Sequence, residues 1–393
     1  MFVLSSHVSG TSHDQLADLH LAWDMIEAML SGKSSIDLNG VPFRSREDAE
    51  QFLIHYGFDW HEDSDRAELV GLFEEAVRFI NHVLLAKQPE TLPKTLKEIP
   101  PGFLADVNRD ILSLMMIGAD KNHPEQPWAC ALLKVMHTLA HIQNGPLYTH
   151  FDVAKEQILN KINRVLDRDP EGHFLLGIPG PQGRVLPIYA FEKKDRKSRE
   201  SILVKLLSKK ENVAQEVHDM IGLRLVTFTE AEALLALDIL RENRVIVFPN
   251  IIPSRSRNTL VDLTCMKEQY ESIAGKILQG EATAEALSDW FQGNTPQCVW
   301  DSEENTNFSA HNPSSSRHYR SIHITCRQLI RVKDPKTGFE NRFFYPFEIQ
   351  ITDKASYLEN KDGSSAHAHY KERQFALARQ RVLGPLLPQS SAE

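Results

Sequence analysis

RFFYPFEIQI, residues 342–351, alternates in polarity like a strand with two unequal faces: Phe347, Ile349 and Ile351 on one side, Glu348 and Gln350 on the other. Two extended runs precede it, SIHITC at 321–326 and 328–332. Further upstream, MIGLRLVTF (220–228) reads as a short buried strand. Thr229 then caps a helix through about Leu240, and RVIVF (244–248) reads as the next strand. The runs 173–178 and 184–191, separated by a turn-rich IPGPQG, form a hairpin pattern. Helical patterns at 198–210, 264–293 and 364–382 alternate with these strands, so the second half of the chain is expected to be a mixed sheet flanked by helices.

Before residue 173 the pattern is helical, with no convincing strand. Leu16, Leu19, Trp23, Ile26 and Leu30 recur at steps of three and four, as do Leu69, Leu72, Ala76, Phe79, Ile80 and Val83. Ser45 and Asp48 form an N-cap signature for a helix through about Tyr56, closed by Gly57. QPETLPKTLKEIPPG (88–102), with four prolines, is a connection, and further helices are expected near 103–117, 128–143 and 149–166. The fold class is therefore α+β. A helical domain over 1–170 precedes a mixed-sheet domain over 171–385, which has a long insertion at about 249–317 and a loose tail at 386–393.

The composition of the 393 residues is that of a folded protein, 41% hydrophobic and 25% charged. No apolar run approaches the roughly 20 residues of a membrane helix, and MFVLSSHVSG lacks the basic region of a secretory signal. The four cysteines, Cys130, Cys265, Cys298 and Cys326, are far apart in sequence, so free thiols in a reducing cytoplasm are expected. The net charge of −9 argues at first against polyanionic partners, but it is unevenly placed. Residues 1–100 hold 8 Lys/Arg and 17 Asp/Glu, while the remaining 293 hold 36 of each. The acidic helical half is thus a candidate surface for a protein partner. The stretch 192–211, EKKDRKSRESILVKLLSKKE, is strongly basic.

Several segments of the second half carry chemistry in their spacing. On a helix, Lys197, Ser201 and Lys205 share one face, two ammoniums and a hydroxyl suited to phosphates. Asp219, in H-D-M-I-G-L-R, sits at a strand mouth where a carboxylate can hold Mg²⁺, with Arg224 five residues on. In H-Y-R-S-I-H, Tyr319, Ser321 and His323 fall on one side of an extended chain, and an aromatic ring beside Arg317 and Arg320 could stack a nucleobase. Glu348 could be a second magnesium ligand or a general base. A-H-A-H-Y-K places His367, Tyr370 and Lys371 on adjacent helix turns. His137 and His141 have the i, i+4 spacing of a metal pair but lack the Glu of H-E-x-x-H, which favours packing histidines.

Read in order, these segments resemble the synthetase domain of the RelA/SpoT family of alarmone synthetases. That family shows a K-S-x-E-S-I-x-x-K helix, a D-x-x-G-x-R junction, a Y-x-S-x-H strand, an E-x-Q-I strand and an A-H-x-x-Y-K helix. The resemblance covers roughly 190–375. It implies a nucleotidyltransferase-like fold and transfer of the β,γ-pyrophosphate of ATP to the ribose 3′-hydroxyl of GDP or GTP, with Mg²⁺. By position it implies that Arg196, Lys197, Ser201, Lys205 and Lys371 hold phosphates, and that Asp219 and Glu348 bind the metal. Glu348 would also draw the acceptor proton, Arg224 would stabilise phosphate charge, and Tyr319, His323 and Arg317 would meet the acceptor. Gln350 and His367 would give support. The chain departs from the pattern at Asp195, where the family has Arg, at Ser315–His318 before Tyr319, and at Thr352 after E-x-Q-I. Those departures leave open an adenosine nucleotide or tRNA 3′ end as acceptor, a nucleotide-binding protein without chemistry, and another nucleotidyltransferase-like enzyme. The helical half shows no H-D dipeptide with the supporting histidines of the alarmone hydrolase domain.

Overall fold

The computed structural model describes residues 23–87, 92–93, 96–180, 183–194, 198–209, 220–294, 298, 319–333, 337–362 and 364–387; for 23–24, 362 and 364–370 it gives the backbone alone. The fold is α+β. Two compact units emerge: one of 1–141, 203–212 and 375–393, the other of 142–202 and 213–374. These bounds interleave along the chain, where the sequence reading places one cut at residue 170.

The first unit is built from helices Trp23–Leu30, Arg46–Tyr56, Asp63–Phe79, Pro101–Val107, Ile111–Ala119 and Gln126–Gln143, the last ending just past the unit bound. Local chemistry sets their ends. The Ser45 hydroxyl accepts from Asp48 N, and Gly57, at φ 110°, closes the same helix in the left-handed region. Asp110 caps the helix that follows it, accepting from Leu112 N and Ser113 N. After Phe79 the chain widens into one π-helical turn, Ile80–Leu85, whose Ile80, Val83, Leu84 and Leu85 are all buried. Phe375, Ala378, Val382 and Leu383 add buried residues from the far end of the chain. Arg379 ties that segment to the π turn by donating from Nε to Leu84 O at 2.9 Å.

The second unit carries two sheets. A small antiparallel sheet joins β1 (Leu166–Arg168), β2 (Phe174–Gly177) and β3 (Val185–Ile188) in that order. The main sheet uses β4 (Ala190–Lys193), β5 (Gly222–Thr227), β6 (Arg257–Asn258), β7 (Ile322–Lys333) and β8 (Glu340–Asp353) in the order β4-β5-β8-β7-β6. Among the described strands only β5 and β8 pair in parallel, the chain between them passing through the helix Glu230–Glu242, β6, two further helices and β7. Thr229 starts that helix with a full capping box, its hydroxyl accepting from Glu232 N while Glu232 accepts from the Thr229 backbone. The apolar side of the sheet is fully buried at Leu223, Leu225, Ile349 and Ile351.

Several expectations are corrected. A strand does precede residue 173: β1 pairs with β2. The run 184–191 is two strands, because at Tyr189 the backbone N–H turns to Val226 O and the chain passes from the small sheet to the large one. The pieces 321–326 and 328–332 are one strand, paired without interruption to β8 from Ile322–Ile351 to Lys333–Glu340. RVIVF forms no strand. Arg244 takes a left-handed φ of 59°, and the Val245 and Ile246 N–H groups close the preceding helix on Leu240 O at 2.9 and 3.1 Å. Their side chains are buried there, so β-branched propensity yields to packing at a helix end. The stretch 264–293 is two helices, Leu263–Leu278 and Ala284–Phe291. Cys265 and Cys298 form a disulfide, Cα atoms 5.9 Å apart, against the expectation of four thiols; Cys130 and Cys326 are free and buried. No described helix is long and apolar enough to cross a membrane.

Candidate active site

Strand register assembles the site. Glu192 of β4 is opposite Arg224 of β5, which aligns with Gln350 of β8, which is opposite His323 of β7, itself opposite Arg257 of β6. Lateral partners share a face, so these five side chains form a row across the whole sheet. One step along, Gly222, Glu348 and Thr325 form a second row on that face. The alternation that buries Ile349 and Ile351 is what delivers Glu348 and Gln350 to this side.

From Glu192 to His323 the row is hydrogen-bonded. Arg224 donates from Nη1 to Glu192 Oε2 at 3.0 Å and from Nη2 to Gln350 Oε1 at 3.1 Å. Tyr319, just before β7, brings its hydroxyl to 3.4 Å from Gln350 Oε1 and 3.5 Å from Arg224 Nη2. The Gln350 amide donates to Glu348 Oε1. His323 Nδ1 lies 2.9 Å from that same carboxylate oxygen, and the Tyr319 and His323 rings meet edge to face at 5.8 Å. Among the described residues His323 Nε2 is buried and has no partner. Burial pushes the His323 imidazole below its ordinary pKa. The Glu348 carboxylate opposes that shift, while Arg257 and Lys194 add to it.

Lys194 brings its ammonium to 3.5 Å from Glu348 Oε1. Gly222 makes room for it: a Cβ there would lie 2.5 Å from Lys194 Cδ. Tyr357, on the helix Lys354–Asp362, donates to Glu192 Oε1 at 2.5 Å. That bond, with burial, raises its own pKa. Glu192 is therefore gripped by Tyr357 on one oxygen and by Arg224 on the other, which fixes the guanidinium over the sheet.

Of the residues expected from sequence, Arg224, Tyr319, His323, Glu348 and Gln350 are brought together. Asp219, Arg196, Lys197 and Arg317 lie outside the described residues, as does the side chain of His367. Ser201 sits in the first turn of the helix Arg199–Leu207, its hydroxyl 2.9 Å from that of Ser198, with Lys205 one turn on. Lys371 is exposed on the helix Ser364–Leu383. Glu192, Lys194 and Tyr357 were not legible as site residues. The sequence pattern ends the extended run at 191 and leaves 192–197 as part of a basic stretch, whereas β4 continues through Lys193 and alternation puts Glu192 and Lys194 on the Arg224 face. Tyr357 carries no spacing signal at all.

Mg²⁺ is held by one or two carboxylates together with water and substrate phosphates. The described donors fit that mode on one side only: Glu348 offers a hard carboxylate on the polar face, while Glu192 is committed to Arg224 and Tyr357.

No family model and no curated relative matches the chain. Solved structures do. About half of the chain matches small alarmone synthetases. Small alarmone synthetase 2 from Bacillus subtilis is 15% identical, with 51% of this chain and 82% of that one covered and a TM-score of 0.24. Small alarmone synthetase 1 from Bacillus subtilis, solved bound to its product pppGpp, is also 15% identical, covering 51% of this chain and 76% of its own at a TM-score of 0.24. Likeness at this level assigns no activity by itself, so a functional reading has to come from the sheet face.

Proposed function

We propose that the chain is a divergent pyrophosphokinase of the alarmone-synthetase type, moving the β,γ-pyrophosphate of ATP to the 3′-hydroxyl of GDP or GTP. One observation carries the reading. Arg224, Tyr319, His323, Glu348 and Gln350, drawn from three of the five sequence motifs and separated by as many as 126 residues, meet on one polar sheet face in a continuous hydrogen-bonded row. A structural surface has no need for a fixed guanidinium, a carboxylate–imidazole pair and a phenol in one place; transfer between two nucleotides uses all three.

In this reading the 3′-oxygen of the acceptor bonds to the β-phosphorus of ATP. The bond from that phosphorus to its bridging oxygen breaks, and AMP leaves with the electron pair. Glu348 takes the hydroxyl proton, with His323 at 2.9 Å placed to share it. Arg224, held by Glu192 and Gln350, meets the phosphate charge without reorganising. Tyr319 offers a ring and a hydroxyl to the acceptor. Glu348, with Asp219 as the proposed second carboxylate, would hold Mg²⁺, which when bound neutralises phosphate charge. Lys197, Ser201, Lys205 and Lys371 are the proposed phosphate contacts outside the row.

The test offers γ-labelled ATP and Mg²⁺ with GDP, GTP, ADP, AMP or tRNA in turn, to the wild-type chain beside Glu348→Gln and Arg224→Gln. The expected result is label on the guanine nucleotides and a loss of about 100-fold or more in each variant. Transfer confined to tRNA or an adenine nucleotide would keep the chemistry and replace the acceptor. ATP binding without transfer to any of them would sink the reading.

A further inference from the structure

The helical unit contains a cavity of about 180 Å³ with almost wholly apolar walls. It is lined by the segment 35–43 and by the helices Arg46–Tyr56, Ile111–Ala119 and Gln126–Gln143. Phe43, Phe52, Tyr56 and Phe58 stand along it as a ladder of rings, with successive centroids 5.0, 5.7 and 6.1 Å apart. The ladder reaches the surface, since Phe52 is 45% and Tyr56 37% exposed. An aromatic-flanked opening of this kind is a pattern of ligand sites more than of a packed core.

Polar groups gather at one end. The Tyr56 hydroxyl lies 2.6 Å from His137 Nδ1; with the phenol as donor, the ring proton is on Nε2. That N–H faces Ser35 Oγ at 3.5 Å, the outer limit of a hydrogen bond. A ligand acceptor could improve on it. Burial, with His141 beside it, holds His137 down to about 4, and burial holds Tyr56 up to about 12. Both groups are therefore neutral near pH 7. Lys134 also borders the cavity, but its ammonium donates to Arg381 O at 3.0 Å. A cation would lose its hydration against walls that offer it no carboxylate, and an anion would meet only Lys134, whose ammonium is already bonded to Arg381 O.

We propose that this cavity binds one small, uncharged, ring-bearing molecule whose hydrogen-bond acceptor meets His137 Nε2. Its size sets the scale, because an apolar cavity of about 150 Å³ admits benzene. A one- or two-ring compound is therefore the fitting class. The site is separate from the sheet face and stands whether or not the transferase reading holds.

A matched series tests it on the full chain: 1-indanone, indane, which lacks the acceptor, and indane-1-carboxylate, which adds charge. Calorimetric titration at pH 7 is expected to show one saturable 1-indanone site per chain. Indane should bind about tenfold more weakly, and the carboxylate about 100-fold more weakly or worse. Leu133→Phe, which fills the cavity, should abolish binding while the circular dichroism spectrum stays native. Should that variant fail to fold, Tyr56→Phe decides: it releases the His137 tautomer, so 1-indanone should lose most of its advantage over indane. The proposal is overturned by absent saturation, by equal binding of ketone and carboxylate, or by 1-indanone affinity that survives both variants unchanged.

Discussion

Glu348 shows how much one side chain depends on its neighbours. Its Oε1 is shared by Lys194, His323 and Gln350, so each of those groups is tuned by the same negative charge. For His323, burial lowers the pKa and Glu348 raises it. Removing the charge in Glu348→Gln should therefore move the imidazole titration to still lower pH, as followed by imidazole NMR; an upward move would contradict the geometry. In the helical unit His137 gives a sign that can be read in stability. Its folded pKa of about 4 lies below the ordinary 6.5, so the unfolded chain binds the extra proton as pH falls through 6.5. Stability attributable to this group is full above pH 6.5 and is lost progressively down to pH 4, by about 3 kcal/mol at most. Urea unfolding of the wild type and of His137→Gln at pH 7 and pH 5 should show the smaller pH loss in the variant.

Among elements, those with strong local signals were the legible ones. Ser45, Gly57 and Thr229 mark helix ends through their own hydrogen bonds or φ, and all three act where sequence places them. Thr229→Ala should cost about 1 kcal/mol by leaving Glu232 N without its cap, measurable by chemical denaturation. RVIVF misled because its backbone donors are consumed by the preceding helix, a non-local use that composition does not reveal. Half of the site was legible for the same kind of reason. Glu348, Gln350 and His323 are placed by alternation within their own strands, whereas Glu192, Lys194 and Tyr357 are placed by which strands and helices become neighbours. The Cys265–Cys298 link was equally invisible, because it joins the helix Leu263–Leu278 to a point 33 residues away. Alkylation of the denatured, unreduced protein should label two thiols, Cys130 and Cys326, and four after reduction. Four labels before reduction would restore the original expectation.

At the scale of the molecule, the helical unit is not a contiguous N-terminal block. It takes 203–212 and 375–393 as well as 1–141. The last of these segments is structural: Phe375, Ala378, Val382 and Leu383 are each less than a tenth exposed. Arg379, itself 6% exposed, donates to Leu84 O and Lys87 O around the π turn, and Arg381 reaches Asp37 Oδ1 at 2.7 Å. The last carbonyls of any helix lack internal partners, and Arg379 supplies donors where this one ends, at Leu84 O and Lys87 O. Ending the chain at Gln374 would remove four buried apolar side chains and two guanidiniums from a unit whose N-terminal helices lie more than 230 residues away in sequence. Phe375, Val382 and Leu383 each contribute about 1.5–3 kcal/mol on burial, together comparable to the roughly 5–15 kcal/mol margin of an ordinary domain. The truncated chain should therefore lose the cooperative unfolding of its helical unit, seen as rapid amide hydrogen exchange throughout the helices Asp63–Phe79 and Gln126–Gln143. If those helices keep their protection without residues 375–393, the N-terminal helices form a self-sufficient domain and the interleaving is incidental.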